Sequence, residues 1–192
     1  MHQKITDCML CADRFAQTAT KHAPRPVLWA QKGARVLIAG QAPGARVHAS
    51  GKPFTDPSGD RLRDWLGLDE DEFYDRSRIA ILPMAFCFPG YDVKGADLPP
   101  PPICAKTWRA AALDHFGPFD ATILVGGYAM AWHLGGKPRV RDTVANWQNL
   151  PSGVFALPHP SWRNTSWLKK NPWFEADVLP KLRRTVRRVL ND

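Results

Sequence analysis

The chain has 192 residues, 44% hydrophobic and 23% charged, enough apolar content for one sizeable core without a second unit, so residues 1–192 read as a single domain. No apolar run reaches the roughly 18 to 20 residues of a membrane span, and Met1-His2-Gln3-Lys4 lacks the apolar core of a secretion signal; no membrane-spanning helix and a cytoplasmic location are expected. Twenty-six Lys and Arg against eighteen Asp and Glu leave a net charge of +8, which suits a polyanionic partner without specifying one.

In chain order, Cys8-Met9-Leu10-Cys11 falls in a short helical segment, and the connection Ala23-Pro24-Arg25-Pro26 leads to a buried strand, Arg35 to Ala39. Gly40-Gln41-Ala42-Pro43-Gly44 follows at once. A glycine-rich loop at the carboxyl end of a strand lets backbone approach something flat or anionic, and with no Gly-Lys-Ser/Thr after it this is not a nucleotide-hydrolase phosphate loop. Gly51-Lys52-Pro53-Phe54-Thr55-Asp56-Pro57-Ser58-Gly59 then runs into a helical pattern, Asp60 to Leu68. A second strand, Ile79 to Met84, ends near its proline, and a Pro- and Gly-rich loop over 88–103 precedes a helix, Trp108 to Phe116. The strand Ala121 to Val125 passes through Gly126-Gly127 into the helix Tyr128 to Leu134; the strand Val154 to Leu157 delivers Pro158-His159-Pro160-Ser161. The last helix spans Trp173 to Leu190, with Pro180 as a kink or break. Strands alternating with helices predict a parallel three-layer α/β fold with function in the loops at the strand ends. Lys169, Lys170, Lys181, Arg183, Arg184, Arg187 and Arg188 crowd the last quarter, as a nucleic-acid contact or as solvated surface.

The cysteines comprise Cys8 and Cys11, two residues apart, then Cys87 and Cys104 with sixteen residues between them. In a cytoplasmic protein this admits buried free thiols, a structural zinc or an iron–sulfur cluster, and spacing does not separate the two metals.

Cys-x2-Cys, Gly-Gln-Ala-Pro-Gly followed by Gly-Lys-Pro-Phe-Thr, the Cys87 and Cys104 pair, and His159-Pro160-Ser161 occur in one order. Together they resemble the uracil-DNA glycosylase superfamily, specifically its iron–sulfur branches, families 4 and 5. Residues 40 to 44 and 51 to 54 are similar to the Gly-Glu-Ala-Pro-Gly and Gly-Arg-Pro-Phe of family 4, and Phe54 to Asp60 and His159 to Thr165 to family 5 motifs, so the chain sits between them. The resemblance implies a three-layer α/β/α sandwich on a central parallel four-stranded sheet. It implies a structural 4Fe–4S cluster on Cys8, Cys11, Cys87 and Cys104, with zinc the lesser alternative. As activity it implies a monofunctional DNA glycosylase, acting as a monomer in base-excision repair, that hydrolyses the bond from uracil or a related deaminated base to DNA. A DNA-binding or covalently trapping protein with little turnover is the alternative.

A glycosylase must flip a base into a pocket, stack it, and stabilise the charge that develops as the bond breaks. The resemblance makes Phe54 the stacking wall, against plain core packing, and His159 the donor to the leaving base. Gly40, Gln41 and Ala42 would complete the base pocket. Pro160, Ser161, Arg163 and Asn164, together with Trp162, would form a loop pressing into the minor groove, with Lys169 and Lys170 on phosphates. His48 is a second, weaker histidine, and His133 has no comparable context. Two departures stand out. Family 4 has glutamate where this chain has Gln41, and family 1 has aspartate where it has Ala42, so a water would be oriented by Gln41 or Asp56 instead, or cleavage would be dissociative and rely on the electrostatics of His159 and the loop, as family 5 implies; an aspartate before Pro57 also reads as a helix cap, as does Asp60. The asparagine that in family 4 reads the uracil edge, four residues before the third cysteine, corresponds to Pro83, which has no amide to offer. Specificity would then be relaxed, shifted toward hypoxanthine or xanthine, or supplied by another residue.

Overall fold

The computed structural model describes residues 1–192. Four apolar runs form strands β1 (Val36–Ala39), β2 (Ile79–Ile81), β3 (Ala121–Val125) and β4 (Val154–Leu157), and they lie in the spatial order β2-β1-β3-β4. Every pairing is parallel, with Val36 opposite both Ile79 and Ala121, and Thr122 opposite Val154. Parallel neighbours need long crossovers, and the helices supply them. In order these are α1 (His2–Thr6), α2 (Ala12–Ala16), α3 (Ala45–Ser50), α4 (Pro57–Leu66), α5 (Glu70–Tyr74), α6 (Pro102–Cys104), α7 (Ala110–Phe116), α8 (Gly127–Leu134), α9 (Val140–Ala145), α10 (Thr165–Lys170) and α11 (Leu179–Asn191).

The two-residue period of a strand divides the core. Val36, Ile38, Ile79 and Ile81 join Leu62, Trp65 and Leu66 of α4 and Leu179, Leu182, Val186 and Val189 of α11. Leu37, Ala80 and Leu82 face the other way, onto Ile5 of α1 and Ala112 and Phe116 of α7. Both faces are therefore covered, as the three-layer expectation requires, and each large side chain so buried contributes about 1.5–3 kcal/mol.

Several boundaries differ from expectation, and three of them shape the site or its supports. Cys8 to Cys11 is a turn between α1 and α2 rather than part of a helix. The regular ladder of β2 stops at Ile81, although the N–H groups of Leu82, Met84 and Ala85 continue to donate to the carbonyls of Ile38, Gly40 and Gln41, which fastens the Gly40–Gly44 loop to its neighbour. Pro180 does not break the last helix. It lies in the first turn of α11, directly after a wide π-helical turn over Phe174–Val178, which accommodates the missing N–H and the bulk of the ring.

From β1 the chain crosses to β2 on one side and then returns past β1 to β3 on the other. The crevice at the carboxyl ends of β1 and β3 is the switch point at which open α/β sheets place their sites.

Candidate active site

A cleft of about 1200 Å³ opens there, lined by the residues that follow all four strands: Gly40 to Gly44 after β1, Pro83 after β2, Gly126 and Gly127 after β3, and Pro158 and His159 after β4. Of the residues singled out in the sequence, Gly40, Gln41, Ala42, Phe54, Asp56, His159, Ser161, Arg163 and Asn164 share this lining. Pro160 is buried, and Lys169 and Lys170 stand exposed at the end of α10, outside the cleft lining. The basic cluster of the last quarter is partly structural: Arg183 donates to the Asp64 carbonyl at 2.8 Å, and Arg187 pairs with Glu72.

Phe54 has φ +54°, a left-handed conformation unusual for a residue with a side chain and costing about 1–3 kcal/mol. Three neighbours hold it. The Tyr74 hydroxyl lies 2.7 Å from the Pro53 carbonyl and 3.0 Å from that of Phe54, sharing one proton between them. Arg63 Nη1 donates to the Phe54 carbonyl at 3.3 Å, and burial raises the Tyr74 pKa, which keeps the hydroxyl a donor. Gly59 supplies the space: a Cβ there would lie 1.8 Å from the Phe54 oxygen. The ring tip stands 3.7 Å from where a Cβ on Gly40 would be, so the strained residue faces the glycine loop across the cleft floor.

His159 is carried by the Ser161–Asn164 turn. The Ser161 N–H donates to its Nδ1 at 3.2 Å, and Asn164 Nδ2 donates to its backbone carbonyl at 2.7 Å. With Nδ1 accepting, the neutral ring keeps its proton on Nε2. The ring is open to solvent along the cleft, yet dense protein around it desolvates the charged form and lowers its pKa, with Arg163 adding to the lowering and Asp56 and Asp97 opposing it. Arg61 braces the turn from α4, donating to the Ser161 carbonyl at 3.1 Å and reaching the Thr165 hydroxyl at 3.4 Å.

Asp56 occupies the position before α4, but its carboxylate makes no capping bond and faces the cleft instead. Asp60 is exposed and paired with Arg63. Asp97, which nothing local in the sequence marks, joins Asp56 in the cleft, and burial raises its pKa against the lowering influence of Arg163 and His159. It is placed by a small turn in which the Asp92 carboxylate accepts from the N–H groups of Lys94 at 2.8 Å and Ala96 at 2.9 Å. His48 lies outside the cleft, its ring 5.1 Å from that of His22 and 5.9 Å from that of Phe88. His133 Nε2 accepts at 2.7 Å from Nη2 of the buried Arg109, and burial holds its pKa down at about 4.

On the far side of the β2 end the four cysteines line a second, apolar cavity with Ile5, Leu10, Phe86, Pro101 and Trp108. None is in a disulfide. Trp108 Nε1 donates to Cys8 Sγ at 3.3 Å and the Phe86 N–H to Cys104 Sγ at 3.4 Å, the kind of contact that stabilises a thiolate ligand. Burial pushes Cys87 up to about 12 and Cys104 up to about 11, so metal-free these side chains are thiols and a cation would have to offset the cost of ionising them. The four cysteines share the lining of this one cavity.

Strand-end loops, a strained aromatic wall and a neutral histidine with its N–H free thus share one cleft. The family model described as the uracil DNA glycosylase superfamily matches residues 29–183, a span that includes all four strands, Phe54 and His159, and the chain belongs to that superfamily.

Proposed function

We propose that the protein is a monofunctional DNA glycosylase that hydrolyses the N-glycosidic bond of uracil or a related deaminated base in DNA. The observation that carries this reading is the tautomer of His159: the Ser161 N–H occupies Nδ1, so a neutral Nε2–H is available to a base leaving as an anion. Phe54 stacks the flipped base, and Gln41, whose amide offers both donor and acceptor, reads its edge where Pro83 has no amide. As the bond to the sugar breaks, its electron pair goes to the base, where His159 stabilises the charge. The carboxylates of Asp56 and Asp97 stand against the cationic sugar, and a water oriented by Asp56 or Gln41 adds to it and loses a proton, giving an abasic site. Trp162, 77% exposed at the tip of the turn beside Arg163, presses into the gap left in the strand.

Cys8, Cys11, Cys87 and Cys104 would hold a 4Fe–4S cluster; such a group supplies cross-linking rather than chemistry, tying the turn between α1 and α2 to the loop after β2 and to the end of α6. Four cysteines lining one apolar cavity, with N–H donors to the sulfurs of Cys8 and Cys104, support this reading. Purified protein is expected to be brown, with absorbance near about 400 nm. Cys87→Ser is expected to lose iron and that absorbance and to unfold at lower temperature; a colourless zinc protein would overturn the assignment.

Incubation with an end-labelled oligonucleotide carrying uracil, hypoxanthine or xanthine, followed by alkali, tests the activity. Strand cleavage at the damaged position supports it. An intact strand with a denaturation-resistant shifted band would instead establish covalent trapping.

A further inference from the structure

The face of α8 that turns away from the core does not resemble an ordinary solvated surface. Ala129 and Met130 are buried, while Tyr128 and Trp132, four residues apart and hence on one side of the helix, remain 46% and 41% exposed. Trp132 is fixed rather than loose. The Arg109 guanidinium lies over its ring at 5.5 Å and the His133 ring meets it edge-on at 4.8 Å. Arg109 is itself 1% exposed and bonded to the carbonyls of Leu82 and Pro83, so the indole has a rigid backing and an open outer face.

Cations follow directly. Lys137, Arg139 and Arg141, exposed in the segment after α8, take part in none of the ion pairs of the chain. Between them and Trp132 come Gly135 and Gly136, with φ +79° and +72° and nothing within 4 Å of a built Cβ, so the backbone there is bare and approachable. Tyr128, Lys137 and Arg141 also line the cleft that holds His159, which makes this face continuous with the site.

We propose that α8 and the segment after it form a platform for single-stranded DNA, on which unpaired bases flanking the target stack against Tyr128 and Trp132 while Lys137, Arg139 and Arg141 meet the phosphates. Open aromatic faces gain from bases whose own faces are open; within a duplex these are already stacked, and only the cations would contribute. The position of the strand relative to the cleft rests on the glycosylase reading, but the stacking does not.

The test measures binding of an undamaged labelled oligothymidylate and of a duplex of equal length to the full-length protein, with thermal melting as the control for folding. The Tyr128→Ala/Trp132→Ala double variant is expected to lose about tenfold or more in affinity for the single strand and clearly less for the duplex. Trp132→Phe, which keeps a ring, retains most of the single-strand affinity, and Lys137→Ala/Arg141→Ala weakens both and flattens their salt dependence. Equal losses on both DNAs, or none on the single strand, would overturn the platform; if the double variant misfolds, Tyr128→Ala alone, which leaves Trp132 in place, is read against the same two outcomes. Absence of base release from every damaged substrate would sink the glycosylase reading while leaving these binding ratios interpretable. Base release together with single-strand binding indifferent to Tyr128 and Trp132 would sink the platform alone.

Discussion

Replacing His159 with alanine is expected to slow base release by about 10²- to 10⁴-fold, the range a positioned proton donor contributes. The loss should fall on kcat rather than KM, because the bond from Nε2 strengthens only as charge builds on the leaving base. The pH dependence follows from the same geometry. Desolvation lowers the His159 pKa, so the ring is neutral across the physiological range, and the rate should be level from about pH 7 upward with an acid limb centred below the ordinary histidine value of about 6.5. Protonation at lower pH has to place a hydrogen on Nδ1, where the Ser161 N–H already points; the ring must turn, and the donor is lost with it. Asp56 favours the charged ring, so Asp56→Asn is expected to move the acid limb to still lower pH as well as reduce the rate. A rate that follows the same pH profile in wild type and His159→Ala would remove His159 from the reaction.

Gly59→Ala is expected to destabilise the protein by about 2–4 kcal/mol and to damage activity although Gly59 is no part of the cleft lining. In a helix interior, alanine normally gains about 0.5–1 kcal/mol over glycine. Here the added Cβ would lie 1.8 Å from the Phe54 oxygen and 2.6 Å from its carbonyl carbon, both backbone atoms, so relief requires moving the segment that holds Phe54 in its left-handed conformation. The bonds from Tyr74 and Arg63 to that carbonyl would go with it, and the stacking wall would relax away from Gly40. Thermal melting reads the first effect and kcat/KM the second. Gly44→Ala is the matched control: its φ is −83° and nothing lies within 4 Å of a built Cβ, so its stability should change by no more than about 0.5 kcal/mol. An unchanged melting temperature in Gly59→Ala would show that the backbone at Phe54 is not held as described.

Features written into short stretches were legible in advance. β3 and β4 have the bounds their apolar runs predict, and the glycine loop and the histidine at opposite ends of the chain do meet in one cleft. What could not be read depends on contacts between distant segments. Arg61 bracing Ser161, 100 residues away, leaves no periodic trace, nor does Arg109 reaching the carbonyls after β2. Phe54 looks ordinary in the sequence because its backbone angle is imposed by Tyr74 and by the missing Cβ of Gly59. Asn164 reads in the sequence as a DNA contact, and its amide also holds the His159 carbonyl, a role that the five-residue spacing suggests. Asp97 lay inside a stretch legible only as loop, since the turn that aims it is built by Asp92. The charge run of α11 divides between two roles that composition does not separate, since Arg183 and Arg187 donate to the body of the protein.

The placement of β4 at the margin of the sheet, with β3 as its single strand neighbour, divides the site into parts of unequal cohesion. The glycine loop descends from β1, which is stitched on both sides, whereas His159 rides on a strand stitched on one. A brief fraying of that margin would carry His159 out of register while the pocket floor kept its shape. If His159 acts as proposed, catalysis and folding have different weak points, and base release is expected to fail under heat or denaturant before the central strands release their amides to solvent.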